Sequence, residues 1–179
     1  IIGAVSYFTA EKGFEMALNQ KAESDLNQIE ASFDQLQPGD WLAKDGKLYK
    51  GNYCLNDTRM EVDHFKSLSG DNITFFCGAT RIATSFTKED GSRIVGTEAS
   101  EVVQETVLKK GEMYVGQAEV MGNNYLTAYK PIKDAQGQII GMLFAGILFG
   151  ALKSAYSLMQ FMNIPREVVN IIEGLIVIF

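Results

Sequence analysis

The stretch DNITFFCGATRIATSF, Asp71 to Phe86, holds one arginine, Arg81, among apolar and β-branched residues. Two strands later, YLTAYKPI carries Tyr125, Thr127 and Tyr129 at alternate positions. On a strand those three side chains share one side, and Leu126, Ala128 and Lys130 take the other. A guanidinium grips a carboxylate through paired N–H bonds, and apolar surroundings strengthen the grip. One cation and several hydroxyls on an apolar sheet suit a small anion. They do not make a catalytic centre, because no nucleophile stands with its base. The plainer readings are an Arg81 paired to Asp71 or Asp90, and tyrosines that only pack across strands. Trp41, Tyr49, Phe75 and Tyr114 are walls of such a pocket or members of the core.

Bulk properties remove other classes. The chain has 179 residues, 46% hydrophobic and 21% charged, which favours one globular domain with a full core. A net charge of -6 and a pI near 4.8 argue against nucleic acid or an anionic membrane surface as partner. His64 is the sole histidine, and Cys54 and Cys77 are the only cysteines, too few for a zinc site of that type. No nucleophile elbow and no glycine-rich phosphate loop occurs. Glu89-Asp90 and Glu98/Glu101 read as turn and cap residues. The expectation is a protein that is not an enzyme, without metal or cofactor.

The elements that would position these residues follow from periodicity and turn signals. Residues 4 to 36 carry Phe8, Met16, Leu18, Ala22, Leu26, Ile29, Phe33 and Leu36 at three-to-four spacing, predicting one long helix or two broken near Gly13. Pro38-Gly39 ends it. Asp45-Gly46 predicts a hairpin between 41–44 and 47–50, followed by a loop to Asn56. A short helix is predicted over 61–68 and strands over 73–77 and 80–86. A Ser100-capped helix follows over 101–109. A hairpin about Gly122-Asn123-Asn124 and a last, apolar strand over 138–148 complete an antiparallel, meandering α+β layout. The ends are apolar. Ile1 to Val5 read as the last turns of a membrane helix or as an ordinary helix start, and GLIVIF closes a pair of helices split at Pro165.

The segment from Trp41 to Ile147 resembles the single Cache domain, the PAS-like extracytoplasmic sensor module of bacterial chemoreceptors and sensor kinases. The residues that carry the likeness are DGKLYKG, TRIATS, GSRIVGT, VLKKGEMYVGQA, YLTAYKPI and GQIIGMLFAGI. The resemblance implies three parts. Residues 1–37 would be a stalk helix, and 38–148 a PAS-like sheet of five or six strands with its pocket away from that helix. Residues 149–179 would be helices leading to a membrane or a partner, a departure from the family pattern. It further implies attachment to the cell membrane, while the length of the first helix, about 50 Å, suggests a stalk or the seam of a parallel homodimer. More distantly, TRIAT resembles the strand with which citrate and C4-dicarboxylate sensor domains hold carboxylates through an arginine and a histidine three residues on. Those positions fall on Arg81 and Thr84, and the second anchor strand falls on Tyr125, Thr127 and Tyr129. Phe75 joins them as a wall. Threonine in place of histidine leaves one cation, which suits a short monocarboxylate or a small polar ligand. Outside the cytoplasm Cys54 and Cys77 would either form a disulfide or remain two free thiols. The expected function is ligand sensing for a transmembrane signal transducer, the alternative a structural or interaction module that binds no ligand.

Overall fold

The computed structural model describes residues 2–148, with the side chains of Met16 and of residues 19–148. The expected helices of 149–179, and the side chains of Ile1 to Val5, lie outside the described residues. α1 (Ile2–Leu36) is one helix without a break at Gly13. β1 (Trp41–Lys44) and β2 (Lys47–Lys50) close on Asp45 and Gly46, both at positive φ of 52° and 72°, the twist a two-residue hairpin needs. β3 (Tyr53–Cys54) pairs with β2 where a loop was expected. α2 (Met60–Ser69) ends on Gly70 in the left-handed region.

β4 (Asn72–Cys77), β5 (Thr80–Thr84), β6 (Tyr114–Val120), β7 (Asn123–Lys133) and β8 (Ile139–Leu148) form the main sheet. All its pairings are antiparallel, in the order β5-β4-β8-β7-β6. This corrects the expected meander. β8 inserts between β4 and β7, which explains its unbroken apolar run, since Gly141 to Ile147 are all buried. Between β5 and β6 the expected nine-residue α-helix is α3 (Glu101–Val103) continued by a π-helical turn, Gln104–Lys109. The N–H of Lys110 bonds the carbonyl of Glu105, five residues back. Ser100 makes no side-chain cap bond, and Gln104 Nε2 instead donates to the Ala99 carbonyl at 2.7 Å.

One face of the main sheet packs on α1. Ala22, Leu26, Ile29 and Phe33 lie on the helix at spacings of three or four and meet Ile73, Phe75, Ala83, Ala128, Ile132, Leu143 and Ala145. Phe33 stacks on Trp41 at 5.5 Å and touches Phe75 at 5.3 Å and Phe65 at 5.8 Å. Two cations pin the same helix. Lys50, buried over the Trp41 ring, pairs with Asp34 at 2.6 Å. Lys130 turns to α1 and bonds Glu30 and, at 2.7 Å, Asn27. Outward positions of the helix include Gln20, Glu23, Ser24, Gln28, Ala31 and Gln35. The apolar stripe of residues 22–33 is taken up by the domain's own core. Among the described residues no helix is long and apolar enough to cross a membrane.

Candidate ligand site

Register decides which side chains share the sheet face away from α1. A two-residue turn after Cys77 sets Phe76 opposite Arg81. A bulge then inserts Ile82 as an extra residue, so that Thr84 lies opposite Thr74. Simple alternation would put Arg81 and Thr84 on opposite faces; the bulge returns both to one face. On the other side of β4, Phe76 and Thr74 face Met142 and Phe144 of β8, which continue to Tyr129, Thr127 and Tyr125 on β7. Tyr114 and Gly116 of β6 complete the rows opposite Tyr129 and Thr127.

Arg81 sits half-buried at this face. Its guanidinium carbon lies 5.5 Å from the centre of the Phe76 ring and 6.0 Å from that of Phe86, within range for attraction to the ring faces. Its Nε is buried without a hydrogen-bond partner. Among the described residues none of the ion pairs includes Arg81. The acids proposed as partners are engaged elsewhere: Asp90 caps the turn at Ser92, and Asp71 faces α1. Burial lowers the arginine's pKa, and the nearby Tyr129 hydroxyl opposes that shift. Burial raises Tyr129 in turn, and the Arg81 charge pulls it back. Backbone bonds to Gly96 and Thr97 fix the strand position of Arg81. That flanking segment is held by Arg93, which pairs with Asp63 of α2 at 2.6 Å and donates to the Ser85 carbonyl at 2.9 Å.

The hydroxyls divide into two groups. Thr84 shares a hydrogen bond with Thr74 at 2.7 Å and accepts the N–H of Phe86. Thr127 donates to the Gly116 carbonyl at 2.8 Å, and the Tyr125 hydroxyl bonds the Asn72 side chain. These three pin the sheet internally. Tyr129 is left with Arg81, and Tyr114 stands edge-on to it at 6.0 Å. Phe75 is corrected outright: it lies on the opposite face, among Phe33, Trp41 and Leu48. Trp41 joins it there. Phe76 and Phe86 are aromatic neighbours that the alternation of the strands alone did not single out, and Tyr114, one of the candidate walls, stands on this face. Phe76 was recoverable from the two-residue turn. The pairing of Tyr114 with Tyr129 was not, because a turn centred on Asn123 sets Tyr114 opposite Ile132, whereas the observed turn at Met121-Gly122 sets it opposite Tyr129.

The face is occupied by its own rings. Tyr129 packs edge-on to Phe144 at 4.9 Å and Phe86 edge-on to Tyr125 at 5.3 Å, with Val103 and Val107 over them. Two open clefts, of about 290 and 370 Å3, border α1 instead, one lined by Phe65 and Asp25 and the other by Lys130 and Glu30. Cys54 on the small sheet and Cys77 at the end of β4 are both free thiols, so the disulfide reading gives way to the alternative of two thiols. Burial pushes the Cys77 thiol up. Among the described residues no cluster of His, Cys, Asp or Glu could hold a metal ion.

The family model described as single cache domain 3 matches residues 53–157. Among solved structures, the chain is similar to the sensor domain of E. coli DcuS at 15% identity and a TM-score of 0.42, over 52% of this chain and 67% of that one. No curated protein matches the sequence.

Proposed function

The chain belongs to the single Cache domain 3 family of extracytoplasmic sensor domains, and on that premise we propose that it binds a small organic anion, a short monocarboxylate, at Arg81 for a transmembrane signal transducer. The observation that carries this reading is Arg81 itself, half-buried against two aromatic faces without a carboxylate partner among the described residues. A partly desolvated cation without a counter-ion is unfavourable unless a ligand supplies one. Tyr129 and Tyr114 would complete the grip as hydroxyl donors. Tyr114 lies over Gly116, whose missing side chain leaves room for its ring. A ligand would enter by swinging that half-buried ring away. Binding would then bias the sheet and α1 only through different affinities for the two arrangements.

The first test is calorimetric and thermal-shift titration with short mono- and dicarboxylates. At 100 times its dissociation constant a ligand adds about 2.7 kcal/mol of stability. Arg81→Met is expected to weaken binding about 30-fold, the loss of a charge-assisted pair of hydrogen bonds worth roughly 2 kcal/mol. The same variant without ligand should unfold within about 1 kcal/mol of the parent, because two lost ring contacts are offset by relief of desolvation. Unchanged affinity in Arg81→Met would remove Arg81 from the site. The second reading, an interaction module that binds no ligand, is favoured by the ring-filled face. No stabilisation by any carboxylate would shift the weight to it.

A further inference from the structure

Asp71 opens β4 directly after the Gly70 cap and is 4% exposed. No donor reaches its Oδ2, which is also buried. The side chain within reach of it is a second acid, Asp25 of α1, which lies among the helix residues that enter the core and is paired to Lys21 at 2.5 Å. The groups facing Asp71 can be named element by element. α1 supplies Lys21 and Asp25. α2 supplies the Ser69 hydroxyl, which accepts the Asp71 N–H at 3.1 Å. β4 continues with Asn72, whose side chain is taken up by Ser85 and Tyr125.

We propose that a single proton held between the Asp25 and Asp71 carboxyls latches α1 to the head of β4, so that the domain responds to pH through this contact. With the proton present, one carboxyl donates its O–H to the other, and the buried oxygen is satisfied. Without it, two carboxylates share the single cation of Lys21 in a poorly solvated junction, and the buried Asp71 oxygen stays unpaired. The consequence reaches the site, because β4 also carries Phe76 beneath Arg81. Burial raises the Asp71 carboxyl, Lys21 opposes this and Asp25 adds to it, with a result of about 7 against an ordinary 3.8. The latched state therefore binds the proton more tightly than the open state. Its stabilisation is complete below pH 4, is lost progressively as the pH rises to about 7, and changes no further above that.

Amide hydrogen exchange of the whole chain from pH 5 to 8.5, corrected for intrinsic chemistry, tests the latch. The opening of α1 over residues 21–36 is expected to rise about tenfold per pH unit up to pH 7 and then level off, while β7 and β8 stay protected. Asp71→Asn should keep α1 protected throughout. Asp25→Asn removes the acid that raises Asp71 and should move the rise to lower pH, which keeps the test available if Asp71→Asn does not fold. A parental profile that is flat, an Asp71→Asn profile like the parent's, or α1 and the sheet opening in parallel would each overturn the latch.

Discussion

Phe33→Ala is expected to lower the free energy of unfolding by about 4 kcal/mol, in the range for truncating a fully buried phenylalanine. Phe33 is completely buried and is the point where four elements meet, with Trp41 of β1, Phe65 of α2 and Phe75 of β4 around the ring it contributes from α1. Truncation loses the transfer of a large apolar side chain and leaves a hole between rings that cannot all close in. It also removes the stacked partner of Trp41, the sole tryptophan, so urea unfolding followed by tryptophan emission reads the right contact. Phe33→Leu should cost much less, about 1 kcal/mol, because most of the volume is kept. The outward Gln35→Ala should fall within about 0.5 kcal/mol of the parent. A loss below 1 kcal/mol for Phe33→Ala would mean that α1 is not anchored as described.

Gly141→Ala is expected to cost about 3 kcal/mol, the upper end for overpacking in a close-packed interior. A Cβ at Gly141 would stand 2.1 Å from the carbonyl oxygen of Phe76, and neither that atom nor its neighbours can move without opening the β4–β8 pairing. Gly116→Ala is the informative contrast. There the Cβ would meet the Tyr114 hydroxyl at 2.4 Å, but that contact is the far end of a rotatable side chain. Its cost should stay below about 1 kcal/mol, with the Tyr114 ring displaced. Urea midpoints of the two variants separate them, and near-parental stability for Gly141→Ala would contradict the register of the central strands.

Much of the architecture was open to a reading of pattern and turn chemistry. The Asp45-Gly46 hairpin, the Gly70 helix stop and the apolar α1 stripe are local signals, and each element forms where its signal stands. What escaped was information that lives between elements. The place of β8 beside β4 is a tertiary choice, although its two-sided apolar run was a hint. The π turn after Val103 depends on what the segment packs against. The site shows the same division. Arg81 stood out as the lone cation of an apolar strand. The exchange of Phe75 for Phe76, the pairing of Tyr114 with Tyr129 and the withdrawal of Thr84 and Thr127 into internal bonds all turned on register and on one bulge. The ion pair of Lys130 with Glu30 joins residues far apart in the chain, and no local pattern signals it.

The sheet order also constrains how the chain assembles. The strand at its middle is the last of the eight strands among the described residues to leave the ribosome. Until Ile139 to Leu148 emerges, the β4–β5 and β6–β7 hairpins each present a bare edge, and those two edges are the ones β8 will join. The nascent domain thus stays as two incomplete halves through most of its synthesis, and closure waits on a single late insertion between partners distant in sequence. Over that interval the exposed edges are open to pairing with a neighbouring chain.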